Sequence, residues 1–327
     1  KSLYPTEHLS ANLLAYEPLS ISCEPNASQL TLLLEPKAQI LPEVVVGLTP
    51  FGSRLKKTTG NSYQVSIEPI DKNGELSSNT LLNSIPGIFV QQGALNTNRL
   101  TIRGIGSRTP YASNRIKAYF GDIPLTSGDG VTILEDIDLS GVGRIEVLKG
   151  PSSALYGSGL GGVIKYLPLA NSKNKAEIRS SIGAFNTFRT RLSASLQKNA
   201  TSLRIHYANV NSDGFRQNSN YKRNTLFLNG NYHHKKNHFS FNLIFTDLNS
   251  KIPSSLNETD FLESPQNAAS SWLAVKGYES YSKLLAGLSY TSFLSKHWYN
   301  KVTLFGSGFK QYESRPFNIL EDNSKTY

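Results

Sequence analysis

The pattern of apolar and polar positions changes character near residue 168. From about residue 177 the two kinds alternate, the period of a strand with one face toward an apolar medium. In residues 188–196, Phe188, Thr190, Leu192, Ala194 and Leu196 share one face, with Arg189, Arg191, Ser193 and Ser195 on the other. Phe239, Phe241, Leu243 and Phe245 align in the same way. Leu203, Ile205 and Tyr207 oppose Arg204 and His206, while Leu226, Leu228 and Tyr232 oppose Phe227, Asn229 and Asn231. Together with residues 177–185, 283–293 and 299–311, this predicts about seven strands. Residues 198–201, 235–238 and 295–297 are short polar turns, whereas 211–223, 249–280 and the tail from 313 are long. Short turns at one end, long loops at the other and aromatics near strand ends (Phe185, Tyr207, Tyr232, Phe239, Phe293, Trp298, Tyr299) are the texture of an outer-membrane barrel. A soluble β-sandwich also alternates, but does not sort its loops by length in this way.

The earlier part of the chain is different. Residues 76–85 have helical spacing and stop at Pro86-Gly87. Short strands are predicted at 88–91, 100–103, 117–120 and 144–148, heavily punctuated by Gly and Pro. A small, loop-rich α/β domain over residues 58–168 is the expectation. Ahead of it, residues 1–40 predict strand, turn and strand at 13–21, 24–28 and 30–34, too little for a core of its own. Between the two lies a linker, 41–57, with the run Leu41, Pro42, Glu43, Val44, Val45, Val46 and Gly47. It suits an edge strand, or an extended peptide offered to the sheet edge of a partner.

Composition narrows the class. Hydrophobic residues make up 38% of the chain, and no run approaches the ~18 apolar residues of a spanning helix, which leaves barrels open. Lys and Arg number 34 against 24 Asp and Glu, a formal charge of +10. That excess serves solubility or attracts an anionic partner such as lipopolysaccharide or an anionic ligand. No arginine-rich helix or aromatic RNA platform is present, so nucleic acid is not an expected partner. Cys23 stands alone, so the chain has neither an internal disulfide nor cysteine metal-ligand spacing. It opens at Lys1 without Met or a signal peptide and closes at Tyr327 in a polar stretch, as a piece of a longer chain would.

Four blocks carry a resemblance: residues 81–90 (LLNSIPGIFV), 100–106 (LTIRGIG), 118–125 (AYFGDIPL), and 144–157 (RIEVLKGPSSALYG) running into 161–164 (GGVI). In this order they resemble the plug domain of TonB-dependent outer-membrane receptors. The stretch from 271–274 (SWLA) to 315–318 (RPFN) is similar to the early barrel of Bacteroidetes iron-complex receptors. Residues 1–40 resemble the end of the carboxypeptidase-regulatory-like β-sandwich that precedes many of them.

The resemblance implies a mainly β protein, with a small α/β plug inside an antiparallel transmembrane barrel of about 22 strands. Residues 169–327 would supply the first seven or so, too few to close. It further implies that residues 41–46 are the TonB box, engaged by TonB with its inner-membrane energising complex. The implied setting is outer-membrane lipid and lipopolysaccharide. The implied activity is import of an iron complex, with cobalamin, haem, glycan or ligand sensing without transport as alternatives.

The chemistry of single residues adds detail. Gly104, Gly106, Gly121 and Gly150 suit turns that a Cβ would obstruct. Arg103, Glu146 and Lys149 lie near plug strand ends, where a polar lumen can pair them. Arg189, Arg191 and Arg204 would face that lumen opposite Glu135, Asp136 and Glu146, a polar anchorage for the plug. Ligand contact is expected on two plug loops through Arg108, Tyr111, Asn114, Ser127 and Asp129. A guanidinium fork and an aromatic face suit a carboxylate or catecholate. Arg216, Tyr221 and Trp272 are candidates on the long loops.

Residues 157–162 match G-x-G-x-x-G but open no amphipathic helix, so they read as a turn into the last plug strand and not as a dinucleotide site. Ser152 and Ser153 lack the G-x-S-x-G elbow, and no enzyme, cofactor or metal is expected. His233, His234 and His238 flank a turn; adjacent strand residues point to opposite faces, so solvated turn residues are the expectation.

Overall fold

A computed structural model describes residues 7–11, 19–23, 32–33, 61–67, 78–108, 113–128, 130–151, 153–169, 174–295 and 298–316. The chain divides into two units, residues 1–45 and 46–327. In the first, β1 (Glu7–Ala11) pairs antiparallel with β2 (Leu19–Cys23). β2 overlaps the end of the strand expected at 13–21, whose residues 13–18 lie outside the described residues, as do the expected turn at 24–28 and all of 30–34 except 32–33, which are not in a strand.

The second unit contains the plug and the barrel strands. β3 (Asn61–Ser66) is followed by α1 (Asn79–Asn83), β4 (Ile88–Ala94), β5 (Thr97–Ile102), β6 (Ile116–Phe120), β7 (Ile123–Pro124), β8 (Val142–Lys149), α2 (Ser153–Tyr156) and β9 (Gly162–Pro168). β4 and β5 make a hairpin, and the other plug strands form one sheet in the order β3-β8-β9-β6-β7. β9 runs antiparallel to β8 and parallel to β6. Ile164, Ile145, Val147, Ile116 and Ile102 are wholly buried in its core, with Leu82 of α1 packed among them. Gly162 has φ +141°, and a Cβ there would lie 2.3 Å from the Leu148 carbonyl oxygen, so only glycine fits where β9 leaves the 157–161 turn. Gly106 (φ +103°) meets the same limit, 2.5 Å from the Leu100 carbonyl oxygen.

Seven strands follow in sequential antiparallel order: β10 (Lys175–Gly183), β11 (Thr187–Lys198), β12 (Thr201–Ser212), β13 (Tyr221–His234), β14 (Asn237–Lys251), β15 (Tyr278–Phe293) and β16 (Tyr299–Ser314). Two short helices, α3 (Glu258–Glu263) and α4 (Ser270–Ala274), lie in the connection before β15. The longest strands have 16 residues. At about 3.3 Å per residue and a tilt near 40° they rise roughly 40 Å, beyond the ~25 Å apolar band of such barrels.

Alternation decides the faces. Leu192 and Leu196 stay 41% and 62% exposed, whereas Arg189 and Arg191 are buried on the inner side. An outward aromatic belt, Tyr232, Phe239 and Tyr290, joins neighbouring strands near the short-turn end, with centroids 6.2 and 4.8 Å apart. Among the described residues no helix is long and apolar enough to cross a membrane.

Candidate functional site: the plug against the barrel wall

The segment joining β7 to β8 carries two short 3-10 turns, Leu134–Asp136 and Leu139–Gly141. It presents three acids to the inner face of the strands. Asp138 is fully buried and ion-paired to Arg189 of β11 (3.3 Å) and Arg223 of β13 (2.5 Å). The backbone N–H of Ser140 donates to the same carboxylate at 2.9 Å, and Ser140 Oγ lies 2.7 Å from His206 Nε2 of β12. Burial alone would raise Asp138, but Arg223 and Arg189 hold it well below the usual carboxylate range.

Asp136 accepts from Lys283 and, at 3.0 Å, from Tyr281 OH, both on β15. Its carbonyl accepts from Thr246 of β14 at 2.9 Å. One short segment thus touches every strand from β11 to β15. Glu135 differs. It accepts from Asn98, while Arg223 donates to its backbone carbonyl at 3.3 Å. Burial, with Asp136 and Glu279 adding to it, pushes its carboxyl up to about 8, so it is mostly protonated at neutral pH.

The interface is also partly dry. Phe120 of β6 meets Phe227 of β13 at 5.8 Å between centroids, and Phe227, Ile244 and Leu285 join the plug core. The sequence reading expected a purely polar anchorage. Inward positions can be apolar where the plug itself, not water, covers them. Nearer the long-loop end, Leu95 at the β4–β5 tip packs with Val210, Tyr221, Leu248 and Tyr281, and Asn96 Nδ2 donates to Glu279 Oε2 at 3.2 Å. Toward the short-turn end, Asp122 pairs with Lys165 of the plug (3.1 Å) and with Lys301 of β16.

The expected anchors fall into two groups. Arg189 and Arg191 lie on the inner face of β11, Arg189 against the plug. Glu146 instead receives Arg144 Nε at 3.1 Å within the plug sheet. Lys149 donates to the Pro86 carbonyl and sits 3.7 Å over the Tyr63 ring, and Arg103 is exposed. Asp138, Lys283, Tyr281 and the β4–β5 tip were missed. The acidic run at 135–138 and the turn residues Gly93 and Asn96 between two apolar runs were the available signals.

Of the ligand candidates, Tyr111 and Asp129 lie outside the described residues, as do residues 41–46. Arg108 and Asn114 are exposed and Ser127 is half-buried. The structure draws the two plug loops together. The Ser113 N–H donates to the Thr132 carbonyl at 3.1 Å, and the Thr132 N–H donates to the Ser113 carbonyl at 2.8 Å.

The long-loop candidates have other partners. Arg216 donates to the carbonyls of Asn267 (2.9 Å), Ser254 (2.6 Å) and Pro253 (3.5 Å). Asn218 adds bonds to Ile252 and Gly277 at 2.8 and 2.9 Å, so loop 213–220 clamps loop 252–277. Tyr221 is buried with Val210, Leu248 and Tyr281. Trp272 packs on Gly277, where a Cβ would lie 2.4 Å from the indole. Arg216→Ala is expected to cost the loop about 1–3 kcal/mol of local stability. Hydrogen exchange should show faster amide exchange across 252–277 and unchanged exchange in β13 and β14. Among the described residues no group of three or more His, Cys, Asp or Glu converges as a metal cage.

Residues 54–163 match the family model described as TonB-dependent Receptor Plug Domain. The chain is 26% identical over 169 residues to the vitamin B12 transporter BtuB of Vibrio vulnificus, covering 51% of this chain and 27% of that protein. It is 23% identical over 138 residues to the pesticin receptor of Yersinia pestis, covering 41% and 20%. Among solved structures it is similar to the unliganded ferric citrate transporter FecA, with a TM-score of 0.69 at 18% identity over 80% of this chain and 41% of that one. The ferric yersiniabactin uptake receptor FyuA of Yersinia pestis gives 0.65 at 15% identity over 80% and 42%. The chain thus spans between a fifth and about two-fifths of the lengths of these relatives.

Proposed function

We propose, from the premise that this chain belongs to the TonB-dependent receptors and holds their plug domain with the first strands of their barrel, that the full-length protein imports a scarce nutrient by TonB-driven displacement of the plug. That membership places it in the outer membrane of Gram-negative bacteria. The observation that carries the reading is the acidic segment 134–141 of the matched domain, tied to the five strands β11 to β15 outside that domain by side-chain contacts that a sliding plug must break. The relatives are transporters and receptors rather than enzymes.

An iron complex is the cargo this reading favours. Structural neighbours are a ferric citrate transporter, a ferric yersiniabactin uptake receptor and a ferric-catecholate import receptor, and the chain's +10 charge suits an anionic chelate. Arg108, Tyr111, Asn114, Ser127 and Asp129 contact the ligand from the two joined plug loops, and residues 41–46 add as a strand to TonB. The similarity to a B12 transporter supports cobalamin as the second reading. The test is a strain deleted for the full-length gene, with the protein's abundance followed in the parent. Chelating iron should raise its abundance severalfold, and the deletion should lose ferric-siderophore-dependent growth while keeping cobalamin-dependent growth. Unchanged abundance with loss of cobalamin-dependent growth would replace iron by cobalamin.

A further inference from the structure

The β13–β14 hairpin turns on Lys235 and Lys236, with His234 opposite Asn237 and then His233 opposite His238. The His233 N–H donates to the Ala200 carbonyl at 2.9 Å, away from β14. The His233–His238 rung is therefore a non-hydrogen-bonded one, where facing Cα atoms come within about 4.5 Å and side chains approach most closely. Their imidazoles are stacked, with centroids 4.1 Å apart and planes within 3° of parallel. His234 lies on the opposite face and stacks on Tyr232. The pair that shares a face is thus cross-strand, not adjacent in sequence.

A hydrogen-bond ladder fixes one tautomer. Asn229 Nδ2 donates to Asn242 Oδ1 at 2.6 Å, and Asn231 Nδ2 donates to Asn229 Oδ1 at 3.1 Å. Asn231 Oδ1 is left as an acceptor, 3.3 Å from His238 Nε2. The Nε2–H of His238 donates there, and its Nδ1 keeps a lone pair. Metal-bound histidines are oriented in this way, by a carbonyl on the nitrogen that does not ligate. A parallel stack is also the arrangement that ring quadrupoles favour least, so a cation that draws the rings out of it relieves it. Lys301, the nearby cationic competitor, has its ammonium held by Asp122.

We propose that His233 and His238 form a two-histidine site for a divalent transition metal of the zinc, nickel or copper class, with water completing the coordination. Metal–nitrogen bonds of about 2.0–2.1 Å at a tetrahedral angle need donor nitrogens about 3.3 Å apart with converging lone pairs, so binding turns both imidazoles out of the parallel stack by rotation about their side-chain torsions. Imidazole donors select these metals over magnesium or calcium. The site cross-links neighbouring strands at the short-turn rim of the barrel wall.

The test is calorimetric titration of untagged full-length protein in detergent with ZnCl2 and, separately, NiCl2. One saturable site per chain is expected. His233→Asn and His238→Asn should each abolish it, His234→Asn should leave it unchanged, and Asn231→Ala should weaken it about tenfold by freeing the tautomer. Equal heat-modified gel mobility of the variants controls for folding. Absence of a saturable site in the wild-type protein, or a site that survives in the His233→Asn/His238→Asn double variant, overturns the proposal.

Discussion

Replacing Asp138 by alanine is expected to destabilise the seating of the plug by about 3–5 kcal/mol, the cost of leaving buried cations without their counter-charge. Asp138 is fully buried, and its partners Arg189 and Arg223 are only 4% and 5% exposed at their side chains. Water therefore has little access to either guanidinium once the carboxylate is gone. Asp138→Asn keeps the volume and loses the charge, so it should move in the same direction. The contrast is Arg315→Ala. It breaks a pair with Glu313 at the similar distance of 2.6 Å, but both side chains are exposed, 49% and 41%, and an exposed pair contributes at most about 1 kcal/mol. Thermal unfolding of the full-length protein should separate the two variants. Cells carrying Asp138→Ala should also become sensitive to large antibiotics that an intact outer membrane excludes. Equal melting of Asp138→Ala and Arg315→Ala would mean that the acidic segment does not hold the plug.

Deletion of residues 41–47 from the full-length protein should reduce energised uptake to background while ligand binding at the cell surface stays unchanged. Strand addition draws its affinity from backbone hydrogen bonds and its register from alternate side chains. Val44, Val45 and Val46 favour the extended backbone this requires. Val45→Pro, which removes a backbone donor without shortening the segment, should have the same sign. The measurement is binding of labelled cargo in chilled cells against accumulation in warm ones. Loss of both together would place these residues in ligand binding or in assembly instead.

What the sequence showed and what it hid follow from the range of the forces. The seven barrel strands were legible because an alternation of period two, sustained over ten or more residues, leaves one way to face lipid and lumen at once. Their pairing needed no long-range information, since each strand bonds to the next. The plug blocks were legible through their glycines, two of which have no room for a Cβ. Pairing across the two parts was not legible. Arg189 and Arg223 are 51 and 85 positions from Asp138, and nothing local distinguishes Asp138 from Glu146, which serves the plug sheet. Arg216 shows the same limit: an exposed-looking loop arginine becomes a clamp only when residues 253–267 fold back to offer their carbonyls.

The position of β3 has a mechanical consequence. It is an edge strand bonded to β8 alone, in rungs from Asn61 opposite Lys149 to Ser66 opposite Arg144. A tug on the chain at right angles to this ribbon opens the rungs one after another, each worth about 0.5–1.5 kcal/mol, and the ribbon peels at low force. The same tug along the strand loads all the rungs together in shear, and the ribbon holds far longer. In either case β8, β9, β6 and β7 keep their own partners when β3 leaves. The direction in which the chain departs from Asn61 therefore sets the yield force of this edge, and only a load that outlasts it reaches the rivets at Asp136 and Asp138.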